Sequence, residues 1–308
     1  MSHKTLVNGT VYEVNGGKCL VNGTSYDIKK GRTLINGTGE DIVFSSVSPI
    51  LDENDWTTIR EVSDAGQGAN YWSIGDRKEV TLNGTVGHLS LSNYTTYAFI
   101  IGFNHNASVE GANRIHFQLA KTALSGGKDV ALCDSRYNSQ ASGEVYFNMN
   151  SSGTNSGGWN SSQMRTAICG TSLSSYSGTI IAVIPAELRT VLKSVTKYTD
   201  NTANGGGSTA SYVTATTDYF FLLSEFEVFG SISYGNTYEK NKQAQYAYYS
   251  AGNSKIKYKH NGTSTAADWW LRSADAEYSE YFLNVDTNGE FNSTSANYSI
   301  GFAPGFCV

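Results

Sequence analysis

The side chains best suited to contact a ligand are concentrated near the end of the chain. Between Trp269-Trp270 and the final run GFAPGFCV lies ADAEYSEYFLNVDTNGEFNSTSANYSI, a segment dominated by Ser, Asn, Tyr, Asp, Glu and Thr. Tyr supplies large, stiff contact area with two torsions to freeze, and Ser, Gly and Asn add adaptable hydrogen bonding, as in antibody-type binding loops. The composition therefore predicts a binding surface. An ordinary solvated meander of strands with polar turns has a similar composition and is the alternative.

Preorganisation explains why this segment could bind well. If flanking apolar residues are fixed in the core, the intervening side chains lose little further entropy when a partner docks. The predicted scaffold is Trp269, Trp270, Arg272, Phe282, Phe302, Pro304 and Phe306, with Val285, Phe291 and Ile300 as further apolar residues at strand-like intervals. The predicted ligand-binding residues are Asp275, Glu277, Tyr278, Glu280, Tyr281, Asn284, Asp286, Asn288, Glu290, Asn292, Thr294, Asn297 and Tyr298. Aromatic anchors dominate such interfaces, so Tyr278, Tyr281 and Tyr298 are the expected hot spots, and the acids favour a basic or amide-rich partner.

A second place for chemistry is the most apolar stretch, residues 220–229, which contains Glu225 and Glu227. Paired carboxylates can perform acid–base catalysis. In a stretch that reads as buried scaffold, they are better explained as acceptors for backbone amides or partners of arginines such as Arg272. No catalytic residue is predicted.

Cysteine and histidine spacing indicates no metal site and no cofactor. The four cysteines, which form no CxxC pair, are Cys19, Cys133, Cys169 and Cys307. The five histidines, which have no ligand-like spacing, are His3, His88, His105, His116 and His260. Phosphate loops, nucleophile elbows and EF-hand loops are also absent from the sequence. Free buried thiols and structural histidines are expected.

Charge and hydropathy restrict the partners. The net charge of −5 is modest and forms no basic patch, so a nucleic-acid partner is not expected. No apolar run reaches membrane-spanning length, and the first residues lack a secretory signal pattern. We therefore expect no membrane insertion, and a route out of the cytoplasm other than secretion, such as release in a phage particle.

Residues 5–43 contain an internal repeat. LVNGTVYEV, LVNGTSYDI and LINGTGEDI begin at positions 6, 20 and 34. Asn-Gly between alternating residues is the strongest short hairpin signal, so the repeat predicts a six-stranded meander. A unit of roughly 40 residues buries too little core to stand alone. Residues 1–44 are therefore predicted to attach or oligomerise a main domain at 45–308, with a homo-oligomer, a trimer being one candidate, as the outcome.

Local patterns predict the elements of the main domain. A helix capped by Asp55 is expected at 55–62, a hairpin that turns back at 82–85, and a central strand within 97–106. Two further helices are expected: 159–168, capped by Asn160 or Ser161, and 185–192, with Pro185 in its first turn. Residues 150–158 and 200–211 are polar loops.

The C-terminal frame resembles a known family. Trp269-Trp270-Leu271-Arg272-Ser273, then Phe282, Val285 and Gly289, then GFAPGFCV are similar to the end of C-type-lectin-fold proteins of the formylglycine-generating-enzyme subtype. More narrowly, they resemble variable proteins diversified by retroelements in gut bacteria and their phages. The segment Trp72-Ser73-Ile74-Gly75-Asp76 and the Gly-Phe-Asn-His pattern at 102–105 extend the resemblance from about residue 55 to the end.

The resemblance implies an α+β fold: a C-type-lectin-like domain with a mixed antiparallel sheet and two main helices, preceded by the hairpin repeat. It also implies a variable region at about 268–308, in which residues between fixed frame positions are rewritten by adenine-directed mutagenesis. Helices 159–168 and 185–192 are the candidates for the paired helices of that fold.

Several functions remain open. The resemblance favours a non-enzymatic receptor-binding protein of a phage tail, carried on the virion and acting outside the cell on a bacterial surface protein or glycan. A surface adhesin of a gut bacterium is the alternative of the same kind. A formylglycine-generating oxidase would use neighbouring cysteines with copper, a pattern this chain does not meet. Signature triplets for calcium-dependent sugar binding are also lacking. A purely structural virion protein is the remaining alternative.

Overall fold

The computed structural model describes residues 47–141 and 143–308 in full, and six strands of the first 46 residues through their backbone. The chain divides into two compact units, residues 1–49 and residues 50–308. Within the described residues, no helix combines the length and apolar character needed to cross a bilayer.

Each sequence repeat of the first unit forms one antiparallel hairpin. The strands are β1 (His3–Val7), β2 (Thr10–Val14), β3 (Lys18–Val21), β4 (Thr24–Asp27), β5 (Lys30–Ile35) and β6 (Thr38–Val43). The pairs that close the hairpins, Val7 with Thr10, Val21 with Thr24 and Ile35 with Thr38, leave two residues between the strands. The intervening Asn-Gly pairs lie outside the described residues.

The expected six-stranded meander is wrong for the strands described in this unit. β1 pairs with β2, β3 with β4 and β5 with β6, each as a separate two-stranded sheet. A two-residue turn sets the register inside a repeat.

The second unit is mixed α+β with few helices. Its helices are α1 (Trp56–Asp64), α2 (Gly68–Tyr71), α3 (Ala107–Glu110), α4 (Gly158–Ser161), α5 (Ile180–Val183), α6 (Ala186–Val191), α7 (Glu225–Phe229) and α8 (Ala247–Ser250). A π-helical segment covers Met164–Cys169, and 3₁₀ turns cover Leu51–Glu53, Ala210–Tyr212 and Glu239–Asn241. Its strands are β7 (Arg77–Val86), β8 (Leu89–Phe103), β9 (Ile115–Lys121), β10 (Val130–Ala131), β11 (Ser139–Gln140), β12 (Val195–Asp200), β13 (Val213–Asp218), β14 (Phe220–Phe221), β15 (Lys257–Lys259), β16 (Gly262–Ala267), β17 (Trp269–Ala274), β18 (Tyr281–Val285), β19 (Phe291–Ser295), β20 (Tyr298–Ser299) and β21 (Gly305–Cys307).

The largest sheet has the order β14-β21-β9-β8-β7 and is antiparallel throughout. The C-terminal strand β21 thus lies inside it, with Phe306 opposite Phe117 on one side and Phe220 on the other. The ring of Trp56 from α1 lies 5.6 Å from Phe117 and 6.1 Å from Phe306, centroid to centroid. This aromatic cluster is the core that holds the end of the chain. β9 is the middle strand, and β8, which contains the predicted central strand, is its neighbour.

A smaller antiparallel sheet, β17-β18-β19, carries the predicted binding segment. Every residue of β17 is buried, β18 is buried after Tyr281, and β19 is largely accessible. Trp269 pairs with Val285, and Val285 pairs with Phe291. The sheet therefore passes from a fully covered strand to an open edge within three strands.

The predicted helices are only partly found. α1 forms as expected, with the Asp55 side chain accepting from the Thr58 N–H, and α6 starts directly after Pro185. The predicted helix at 159–168 is broken, because Ser162 is extended between α4 and the π-helical segment. Gly157, in the left-handed region, precedes α4, so the capping assigned to Asn160 or Ser161 is wrong.

Because residues 159–168 are broken, the two segments predicted as the main helices do not form a pair of continuous helices. The longest helix is α1, with nine residues, and α6 has six. The predicted hairpin turn at 82–85 is also wrong: β7 continues to Val86, with Gly84 at φ 123° where the register shifts. Glycine tolerates that dihedral, so the Asn-Gly pair makes a bulge inside the strand instead of ending it.

Candidate functional site

Residues 275–281, which comprise the turn between β17 and β18 and the first residue of β18, Tyr281, are called the turn at 275–281 and are held by Asp275. Its side-chain oxygen Oδ1 accepts from the N–H groups of Glu277, at 2.9 Å, and Tyr278, at 3.1 Å. The side chain is only 3% exposed, and this burial raises the pKa of its carboxyl. The prediction that Asp275 contacts a ligand through an exposed side chain is therefore wrong, because backbone hydrogen bonding turns the carboxylate inward.

Asn155 fixes the same turn from a distant loop. Its Nδ2 donates to the backbone carbonyls of Asp275, Tyr278 and Tyr281, at 3.0, 2.9 and 2.9 Å. Its backbone N–H donates to the Ser279 carbonyl at 2.7 Å. Sequence patterns predicted only a loop here, and an isolated Asn in a Ser/Gly/Asn-rich segment carries no signal for such a role.

The prediction that Asn284 contacts a ligand is also wrong. It is fully buried in β18, where its Oδ1 accepts from Thr294 Oγ1 at 3.0 Å. β18 is the middle strand of its sheet and is covered along residues 282–285, so strand alternation does not expose Asn284. A strand buried on both faces breaks the inference from an alternating pattern.

The remaining predicted contact residues reach solvent to different degrees. The exposed ones are Glu277, Tyr278, Glu280, Tyr281, Asn288, Glu290 and Asn292. The half-buried ones are Asp286, Thr294, Asn297 and Tyr298. The predicted scaffold residues Trp269, Trp270, Arg272, Phe282, Phe302, Pro304 and Phe306 are all buried.

The structure does not bring these residues into one patch. β17, β18 and β19 run antiparallel, so the turn at 275–281 and the turn at 286–290 lie at opposite ends of β18. Asp286 caps the second turn by accepting from the N–H groups of Asn288 and Glu290. Tyr298 lies on β20, which pairs with β11 in another sheet. The compact part of the predicted site is therefore residues 277–281, where the Tyr278 and Tyr281 rings lie 5.9 Å apart.

Aromatic residues that sequence reasoning missed extend the surface. Tyr234 is 46% exposed, and its ring lies 5.4 Å from that of Phe291. Phe291, one of the apolar residues at strand-like intervals, lies on the edge strand β19, where it is 41% exposed and also packs against Phe229. The segment GSISYGNTYEKN around Tyr234 shares the Ser/Tyr/Gly/Asn composition of the predicted binding segment, so a signal for this loop was available.

A cleft of about 360 Å³ lies between the loop around Tyr234, the loop at residues 207–208 and the turn at 275–281. It is lined by Gly207 and Ser208, by residues 233–235 with Thr237, and by residues 275–278. Backbone hydrogen bonds from Gly207 N–H to the Ala276 carbonyl and from Ala276 N–H to the Tyr234 carbonyl hold the three segments together. The Thr237 N–H donates to Ser208 Oγ at 3.0 Å.

The two acids of the apolar stretch behave as the sequence predicted. Glu227 forms a bidentate ion pair with Arg272, with Nη1–Oε2 at 2.5 Å and Nη2–Oε1 at 2.9 Å. Glu225 accepts from the backbone N–H groups of Ser233, Tyr234 and Gly235. Both side chains are buried.

The ion pair belongs to a buried network that sequence spacing did not reveal. Lys197 Nζ contacts Glu110 Oε2 at 2.6 Å and Glu227 Oε1 at 2.9 Å. Burial alone would raise the pKa of Glu227, but the charges of Arg272 and Lys197 hold that pKa well below its ordinary value. Burial raises the pKa of Glu110 to about 7.

Within this network, oxygen and nitrogen atoms of His105, Glu110 and Glu227 lie within 4.8 Å of one another. Such a set can ligate a metal, but the Lys197 ammonium already bridges the two carboxylates. Burial lowers the pKa of His105 to about 3, which makes its ring neutral. The charges are paired internally and the side chains are almost wholly inaccessible, so the arrangement serves the core.

The cysteines whose side chains are described are free thiols in the interior. Cys133, Cys169 and Cys307 are all buried, and burial raises the pKa of Cys133 and of Cys307 to about 12. A thiol that stays protonated is a poor nucleophile. The side chain of Cys19 lies outside the described residues.

Comparison with known proteins gives one result. A search of the curated proteins and of the solved structures finds no match to the chain. Residues 135–308, more than half of the chain, match the model of a domain of unknown function, DUF6273. They include the cleft, Asn155 and the whole of the predicted binding segment. The chain therefore belongs to the DUF6273 family.

Proposed function

We propose that this chain is a non-enzymatic binding protein whose turn at residues 277–281 contacts a ligand. One observation carries the proposal: Glu277, Tyr278, Glu280 and Tyr281 are exposed on a turn whose backbone is fixed by buried groups. None of these four side chains is needed to hold the turn, because Asn155 and the Asp275 carboxylate do so.

Such an arrangement favours binding for a physical reason. A turn that is ordered before the partner arrives loses little backbone entropy on docking. Two adjacent tyrosine side chains then supply most of the contact energy, on the order of 2 kcal/mol for each well-packed anchor. The side chains at 277–281 can also be exchanged without changing the contacts that shape the turn.

We further propose the finer identity that the C-terminal frame suggests. A C-type-lectin-like variable protein of a diversity-generating retroelement would keep its frame and rewrite the positions between frame residues. The burial of Trp269, Trp270 and Phe306 beside the exposure of Tyr278 supports that division. The setting we favour is a phage tail protein that recognises a bacterial surface protein or glycan. A bacterial adhesin of the same fold is the second setting.

The rival functions receive less support from this chain. A formylglycine-generating oxidase needs reactive thiols, whereas Cys133 and Cys307 are buried and protonated. A purely structural virion protein gives no reason for the paired exposed tyrosines, and it predicts no selective partner.

The binding function is tested with the intact chain on a panel of gut bacterial strains. The fluorescently labelled protein should bind some strains selectively. The double variant Tyr278→Ala with Tyr281→Ala should lose at least about tenfold in affinity. Tyr71→Ala, which removes an exposed tyrosine from α2, should bind as the unaltered chain does. Equal binding by the double variant, or the absence of any selective strain, would overturn the proposal.

The retroelement origin is tested by the neighbouring DNA. A reverse-transcriptase gene and an imperfect repeat of the last stretch of coding sequence, differing at adenines, are expected.

Light scattering of the chain with and without residues 1–44 tests the proposed role of the repeat, since only the longer form should be oligomeric. A monomer of the full chain would contradict that role.

A further inference from the structure

The cleft beside the turn has a charge that selects its occupant. The residues that line it include the acids Glu277 and Asp275, and no Lys, Arg or His among the described residues that border it. Glu277 is exposed and supplies the accessible negative charge, whereas the Oδ1 atom of the buried Asp275 accepts from the backbone N–H groups of Glu277 and Tyr278. A ligand group entering here meets negative charge that no neighbouring cation in the lining neutralises.

The aromatic part of the lining favours the same kind of group. Tyr234 and Tyr278 both border the cleft, with 46% and 56% of their surface exposed. An aromatic face attracts a cation placed within about 6 Å of its centroid. A carboxylate near such faces strengthens the preference for a guanidinium or ammonium group, because charge-assisted hydrogen bonds are stronger than neutral ones.

The wall that carries Tyr234 is fixed before any ligand arrives. Glu225 accepts from three consecutive backbone N–H groups, those of Ser233, Tyr234 and Gly235. A Cβ added at Gly235 would come within 3.0 Å of Glu225 Oε2, so glycine permits this close approach. The buried Glu225 carboxyl group thus holds the wall in place through these hydrogen bonds.

We propose that this cleft accepts one basic side chain, a lysine or an arginine, presented by a protein partner. The inference rests on the proposed binding function and names the chemistry that the surface recognises. A neutral sugar could stack on the tyrosines but would not use the charge of Glu277, so a glycan is the competing outcome.

The test uses the intact chain and small probes. N-acetyl-arginine amide is titrated while the backbone amide signals of Ala276 and Glu277 are followed by NMR. N-acetyl-citrulline amide, a neutral probe of nearly the same shape, and methyl glucoside are titrated in parallel. We expect saturable shifts with arginine amide at a Kd of about 1 to 10 mM, and at least about fivefold weaker binding by the citrulline probe.

Matched variants locate the effect in the cleft. Glu277→Gln should weaken arginine binding about fivefold, whereas Glu280→Gln, which removes an exposed acid of the same turn outside the lining, should change it less than about twofold. Tyr234→Ala should weaken binding, and Tyr238→Ala, a nearby exposed tyrosine outside the lining, should not.

Three results would overturn the inference: equal binding of the arginine and citrulline probes, preferential binding of the glucoside, or no saturable shift with arginine amide. If arginine amide fails while whole cells are still bound through Tyr278 and Tyr281, only this inference falls. If cell binding also fails, the proposed function falls with it.

Discussion

Charged residues are buried and paired in one region of the chain and exposed in another that lies only a few residues away. Arg272, in β17, is fully buried and ion-paired with Glu227, which also contacts Lys197. Glu277 and Glu280, only a few residues later, are exposed on a turn that is held by other groups. The charges of the buried cluster are therefore part of the fold, whereas those of the turn can change without affecting it.

The two regions differ in how much the free energy of unfolding changes when a charged residue is altered. A buried charge without a partner is strongly destabilising, because desolvation is no longer compensated. An exposed charge stays hydrated, and a change to it alters stability by only a few tenths of a kcal/mol.

The largest effect is expected from Arg272→Met. The variant leaves the Glu227 carboxylate buried beside Lys197 alone, and it removes donors to Thr199 Oγ1 and the Leu222 carbonyl. The free energy of unfolding should fall by about 4 kcal/mol, measured by urea denaturation. Glu280→Gln is the matched control on the turn and should change it by less than about 0.5 kcal/mol. Similar values for the two variants would remove the contrast.

A second effect should appear in the pH dependence of stability. Burial raises the pKa of Glu239 to about 7, well above the value of 4.5 for a free Glu. Because the folded chain then binds more protons than the unfolded chain between pH 4.5 and 7, the contribution of Glu239 to stability is fully present below this window and is lost as the pH rises through it. The loss is on the order of 3 kcal/mol.

Glu239→Gln should remove this part of the pH dependence. Relative to the unaltered chain, the variant should become more stable as the pH rises from about 4 to about 8, measured by denaturation at each pH. Glu277→Gln is the exposed control and should show no such trend. A Glu239 variant whose stability runs parallel to that of the unaltered chain would contradict the assignment.

Lys257 is a buried cation that forms no ion pair with the residues the structure describes. Burial lowers the pKa of Lys257 to about 8, and its ammonium lies over the ring of Trp269 at 4.9 Å. Lys257→Met should raise the free energy of unfolding at pH 7 by about 2 kcal/mol, seen as a higher urea midpoint. A lower midpoint would mean that the contacts of the ammonium outweigh its desolvation.

The smallest effect is expected from the tyrosines of the turn. Tyr278→Ala with Tyr281→Ala should leave the free energy of unfolding within about 0.5 kcal/mol while abolishing cell binding. A matched loss of stability, measured in the same urea titration, would place these rings in the core of the fold and remove the proposed binding surface.

Part of the site was predictable because it depends on local patterns. Apolar residues at strand intervals in a polar segment predicted a buried frame, and Trp269, Trp270, Phe282 and Phe306 are buried. The two acids within an apolar stretch predicted internal pairing, and Glu227 pairs with Arg272. The first inference rests on the favourable removal of apolar surface from water, and the second on the high cost of burying an unpaired charge.

Other parts of the site were not predictable, because they depend on contacts between distant residues. Asn155 reaches three carbonyls more than a hundred positions away. Tyr234 joins the turn only because the loop at 233–237 packs against residues 275–278. Lys197 bridges Glu110 and Glu227 from separate elements, so no spacing along the chain reveals the cluster.

Local sequence patterns were enough to predict an Asp55-capped helix, a hairpin in each repeat, a buried aromatic frame at the end of the chain and an internal partner for Glu227. Tertiary structure alone decided where the accessible surface runs. Covering both faces of β18 buried Asn284, backbone donors turned Asp275 inward, and antiparallel pairing sent the two polar turns to opposite ends. The physical reason is that hydrophobicity and hydrogen-bonding demand are properties of a residue and its neighbours, whereas exposure depends on what the rest of the chain places over it.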